Sequence, residues 1–128
     1  MASSEQPSKP MILLVEDEPS EREPIMRHLQ ERGFAVEVVD NSDAALALFE
    51  KRSDIQGLVT DAHVPGKIDG FELAALVRER WPGVAVVVMS GHSDASSGPI
   101  PDGGDFVSKP YLFSHLVPAL NRLMGKAS

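Results

Sequence analysis

The chain contains no cysteine. That excludes disulfides, thiolate nucleophiles and cysteine-ligated metals. It is also short of positive charge: 12 Lys and Arg stand against 19 Asp and Glu, a net charge of −7. Neutralising nucleic-acid phosphates takes clustered Lys and Arg, so nucleic acid is not an expected partner. No apolar run approaches the ~18 residues that span a bilayer, so no membrane partner is expected either. The first ten residues, MASSEQPSKP, lack the basic and apolar regions of a signal peptide. Residues 1–10 read as a disordered tail, and the protein as soluble and cytoplasmic.

What is present suits one globular domain. A chain of 128 residues, 42% of them apolar, buries roughly two-thirds of its unfolded surface. Five short apolar runs read as strands: Met11–Val15, Phe34–Val39, Gly57–Thr60, Val84–Met89 and Phe106–Ser108. The first, third and fourth are almost wholly apolar, as strands buried on both faces are. Helical patterns lie between them. Ser20–Arg32 opens with Ser20 and Glu23 at capping-box spacing and closes at Gly33. Ser42–Lys51 and Phe71–Trp81 each carry an apolar face, the latter after an Asp69-Gly70 start signal. Tyr111–Met124 turns Leu112, Leu116, Leu120 and Leu123 inward, with Pro118 as a kink. Pro24 is awkward in its helix unless it falls in the first turn. Strand and helix alternate, so the expected fold is a doubly wound α/β domain with a five-stranded parallel sheet over residues 11–124. Residues 125–128 form a short C-terminal tail.

In such folds ligands bind beyond the carboxyl ends of the strands. Those ends carry the chemistry. Strand one runs into Glu16-Asp17-Glu18, strand three into Asp61, strand four into Ser90-Gly91-His92 and strand five into Lys109-Pro110. Parallel strands bring these onto one rim. Clustered carboxylates repel one another unless a cation lies between them. Oxygen-only ligands suit Mg²⁺. A lysine and a serine hydroxyl opposite would hold a phosphate. The chemistry that fits is phosphoryl transfer, with Asp61 as the nucleophile forming an acyl phosphate.

At these residues the chain resembles a known family, the receiver domains of two-component response regulators, or CheY-like domains. The marks are LLVEDEP, LVTDAHVPGKIDGFEL, VVVMSG and DFVSKPY, in that order at strand ends from about Met11 to Met124. The resemblance implies the flavodoxin-like strand order 2-1-3-4-5. It implies that Asp61 is the phosphoacceptor. Glu16 and Asp17 would bind Mg²⁺ directly or through water, and His63 would lend its backbone carbonyl. Ser90 and Lys109 would hold the phosphoryl group, and Gly91 would leave room for the donor. Phe106 and Ser90 stand at switch positions, although a strand phenylalanine is also an ordinary core residue. The Lys109–Pro110 bond would be cis. The implied partners are a sensor histidine kinase or a histidine phosphotransfer protein, and a downstream protein target that the sequence does not name. The match to Met124 reads as the single-domain type, catalysing only its own phosphorylation and dephosphorylation.

There are departures from the family pattern. Val64 replaces the usual methionine, one extra residue sits in PGKIDG, and Ser90–Lys109 is a few residues short. Within it, Pro99 and Pro101 with Gly98, Gly103 and Gly104 oppose a helix. A fourth helix is expected to be reduced or absent there. Other readings exist. An aspartate-nucleophile phosphatase similar to the haloacid dehalogenases would need a second aspartate where His63 stands. A flavodoxin relative would need a Ser/Thr/Gly-rich phosphate loop where EDEPSE stands. A pseudo-receiver, an unphosphorylated binding module, would be expected to lack a site residue, and none is missing.

Overall fold

The computed structural model of the protein describes residues 9–91 and 103–125. Five parallel strands form one sheet in the order β2-β1-β3-β4-β5. They are β1 (Met11–Val15), β2 (Ala35–Val39), β3 (Ile55–Asp61), β4 (Ala85–Ser90) and β5 (Gly104–Ser108). Four helices are described: α1 (Pro19–Glu31), α2 (Ser42–Lys51), α3 (Gly70–Arg80) and α4 (Leu112–Leu123). The sequence expectation of a doubly wound, flavodoxin-like sheet holds. The expected loss of a helix between β4 and β5 concerns residues that lie largely outside the described ones.

Side chains alternate across the sheet, and the alternation builds two cores. Ile12, Leu14, Val59, Val87 and Met89 face α1 and α4, where they meet Ile25, Leu29, Leu116 and Leu120. Leu13, Val15, Leu58, Val86 and Val88 face α2 and α3, where they meet Phe49, Phe71 and Val77. Each large aliphatic side chain so buried stabilises the fold by about 1.5–3 kcal/mol. The central strands are buried on both faces, which is why they read as unbroken apolar runs.

Local signals were obeyed unevenly. Asp69 and Glu72 form a reciprocal capping box, with both bonds at 2.9 Å. Gly33, at φ +96°, closes α1 as expected. The Ser20–Glu23 capping box does not form, because α1 begins earlier. Glu18 is the N-cap, without a side-chain cap bond, and Pro19 lies in the first turn. A proline there loses no helical hydrogen bond and brings its φ pre-set. Pro24 then lies inside the helix rather than in its first turn. Burial of Ile25 and Leu29 offsets the missing N–H. Pro118 likewise sits inside α4 without ending it.

A second correction concerns Pro110. Among the described residues no peptide bond is cis, so Lys109–Pro110 is trans. The chain turns out of β5 through a single 3₁₀ turn, Lys109–Tyr111. Proline's fixed φ suits the opening of a helical turn without isomerisation.

Candidate functional site

Strand register decides what meets at the carboxyl rim. Val15 pairs with Thr60, Asp61 with Met89 and Ser90 with Ser108. Glu16 extends the β1 ladder by donating its N–H to the Val39 carbonyl at 3.1 Å. Glu16, Asp61, Ser90 and Lys109 therefore stand at neighbouring strand ends.

Asp61 is the last residue of β3 and is buried. The His63 backbone N–H donates to its Oδ1 at 3.1 Å. Lys109 Nζ donates to its Oδ2 at 2.7 Å. The same ammonium donates to Glu16 Oε1 at 3.3 Å and to Glu21 Oε1. Behind Asp61 the backbone is packed tightly. The Gly70 N–H donates to the Ala62 carbonyl at 2.9 Å. A Cβ on Gly70 would lie 1.9 Å from the Asp61 carbonyl oxygen. Only glycine lets the start of α3 rest against the end of β3.

Burial and charge act strongly on two groups. The Glu16 pKa is pushed from the ordinary 4.5 to about 7. Burial is the main cause and the Asp61 carboxylate the next; Lys109 and the Glu18 N–H pull the other way. Burial works against the Lys109 ammonium as well. Its hydrogen bonds to Asp61 and Glu21 and the charges of Asp61 and Glu16 outweigh that, holding its pKa above the usual lysine value.

Carboxylate oxygens of Glu16, Glu21 and Asp61 all lie within 4.8 Å of one another. This all-oxygen set fits a hard divalent cation such as Mg²⁺. Three carboxylates against one lysine leave a charge deficit that a cation would fill. The trio differs from the one expected. Asp17 is exposed and stands outside it. Glu21 takes a place that the sequence reading missed. Its only signal was its position in the first turn of a helix that starts at the rim.

Of the remaining expected residues, Ser90 is fully buried at the end of β4. Gly91 is exposed, and a Cβ there would come no closer than 4.0 Å, to Lys109 Cδ. Phe106 is half-buried, opposite Val88 in the ladder and packed against the α2–α3 core. A groove of about 450 Å³ runs from Lys109 and Pro110 along Pro24, Ile25, Leu112 and Phe113. Tyr111 and Phe113 are exposed at or beside its edge.

A parallel sheet of order 2-1-3-4-5 with acids, a lysine and a buried serine at its carboxyl rim defines a doubly wound, flavodoxin-like α/β domain. The family model for the response regulator receiver domain matches residues 12–121, and the chain belongs to that family. A putative NtrX-like response regulator of Rickettsia conorii is 31% identical over 115 residues, covering 87% of this chain and 24% of that protein. The transcriptional regulatory protein TcrA of Mycobacterium tuberculosis is 35% identical over 117 residues, covering 88% of this chain and 45% of TcrA. The chain thus spans less than half the length of these curated relatives. Among solved structures, a response regulator receiver protein from Sinorhizobium medicae superposes with a TM-score of 0.82 at 28% identity, covering 91% of this chain and 95% of that one. The response regulator TrrA of Thermotoga maritima, in complex with Mg²⁺-BeF, gives 0.73 at 28% identity, covering 88% and 97%.

Proposed function

We propose that this receiver domain, residues 11–124, accepts a phosphoryl group on Asp61 from a phosphohistidine donor, with Mg²⁺. The observation that carries this is the Lys109 ammonium held 2.7 Å from a buried carboxylate that ends a central strand. In the reaction an Asp61 carboxylate oxygen attacks phosphorus. An O–P bond forms, the P–N bond of the donor breaks, and its electron pair stays on the imidazole nitrogen.

The residues divide the work. The His63 N–H fixes one Asp61 oxygen and so orients the other. Lys109 neutralises charge on the incoming phosphoryl oxygens. Ser90 supplies a hydroxyl for them, and Gly91 leaves the approach open. Glu16, Glu21 and Asp61 would hold Mg²⁺, with the His63 carbonyl as a further ligand and Asp17 reached through water. The cation would supply electrostatic neutralisation of the phosphoryl oxygens. That TrrA binds Mg²⁺-BeF supports the assignment.

The donor would be a sensor histidine kinase or a histidine phosphotransfer protein, in the cytoplasm. The groove beside Lys109 gives it an apolar seat next to the acceptor. Output would follow from docking to a downstream protein, or from onward transfer, with Phe106 responding to the occupied site. No described helix is long and apolar enough to cross a membrane. The chemical nature of the product tests the reading. Protein treated with acetyl phosphate and Mg²⁺ should carry a label that neutral hydroxylamine removes, as an acyl phosphate requires. A hydroxylamine-resistant label would place the group on a hydroxyl or a histidine and overturn the assignment.

A further inference from the structure

Lys109 spends all its donors on carboxylates. An ammonium has three N–H groups, and here they meet Asp61, Glu16 and Glu21. A phosphoryl group that recruits Lys109 must therefore replace one of these partners. Asp61 carries the group and stays. Glu16 is fixed in the interior: its side chain is 1% exposed, and its Oε2 accepts the Glu18 N–H at 3.2 Å. Glu21 differs. It stands in the first turn of α1 with its side chain 44% exposed. On leaving Lys109 it regains water at little cost.

We infer that Glu21 is a positioning residue, the solvent-side partner that holds Lys109 over Asp61 and yields it to the phosphoryl group. The inference rests on the phosphoacceptor reading of Asp61 and extends it. Glu21 would act in two opposed ways. Its charge belongs to the carboxylate trio and so favours the cation. The same charge competes with the phosphoryl oxygens for Lys109 and repels them, because a phosphoryl group brings nearly two negative charges. Glu21 would thus shorten the life of the occupied state while keeping the empty pocket ordered.

The test uses the whole chain and beryllofluoride, a phosphoryl mimic that is not hydrolysed, titrated calorimetrically at saturating Mg²⁺. Glu21→Gln keeps the shape and removes the charge. Its beryllofluoride midpoint should fall by about two- to fivefold, the span of a partly exposed ion pair. Its Mg²⁺ affinity, measured without beryllofluoride, should weaken. Glu21→Asp keeps the charge and should stay near wild type in both titrations. Opposite movement of the two constants is a result that a merely structural defect does not give. A Glu21→Gln midpoint that is unchanged or raised would overturn the role. Asp61→Asn is the separate control. Beryllofluoride bound as tightly by that variant would remove the acceptor reading itself, whereas a null effect confined to Glu21→Gln leaves the acceptor reading standing.

Discussion

Glu16 shows how one residue feels the whole site. In an unfolded chain it titrates as an ordinary glutamate, near 4.5, and in the fold near 7. A raised carboxyl pKa means that the folded state binds more protons across that window. Its contribution to stability is therefore fully present below pH 4.5 and is lost as pH rises through 7. Urea unfolding of the metal-free protein at pH 5 and pH 8 should show the wild type losing stability at the higher pH, with a smaller loss in Glu16→Gln. Equal losses in the two proteins would mean that Glu16 is not under strain. Glu16, Asp61 and Lys109 stand out in the sequence because each interrupts or ends an apolar run. Glu21 does not stand out, since an acid in a first turn looks like any residue that complements the helix dipole. Only the reach of Lys109, from the turn after β5 to the first turn of α1, gives Glu21 its partner. Asp17 is exposed beside Glu16 and outside the close carboxylate group: adjacency in sequence does not say which side of the chain a residue faces.

Elements were legible where a local cause agreed with the tertiary one. β1 and β4 are continuous apolar runs buried on both faces, and they lie within a residue of their expected bounds. β5 starts at Gly104, two residues before the expected Phe106. Gly104 and Asp105 have weak strand preference and are drawn in by pairing with Val86 and Val87. α1 started early because Pro19 is a stronger start signal than the spacing of Ser20 and Glu23. The Asp69-Gly70 pair was readable as a cap but not as a contact. The closeness of Gly70 to the Asp61 backbone makes it part of the support for the acceptor. Gly70→Ala should destabilise the fold by about 2 kcal/mol or more, since backbone rather than a flexible side chain must yield. Gly83→Ala, where nothing lies within 4 Å of the added carbon, should change stability by about 0.5 kcal/mol at most. Thermal or urea unfolding of the pair checks this. Similar values for both would refute the tight packing behind Asp61.

The whole molecule is a sheet whose strand order brings separate stretches of chain to one rim, with two aliphatic cores holding them there. The rim gathers more negative than positive charge, so the metal-free fold carries a standing repulsion. Millimolar Mg²⁺ should raise the melting temperature by mass action, and the rise should shrink in Glu16→Gln. Melting indifferent to Mg²⁺ would contradict the cation site. The central claim is that Asp61 is the acceptor. Intact-mass measurement after incubation with acetyl phosphate and Mg²⁺ tests it most directly. The account predicts one added phosphoryl group on the wild type, none without Mg²⁺, and none on Asp61→Asn. An unmodified wild type, or a label retained by Asp61→Asn, would contradict it.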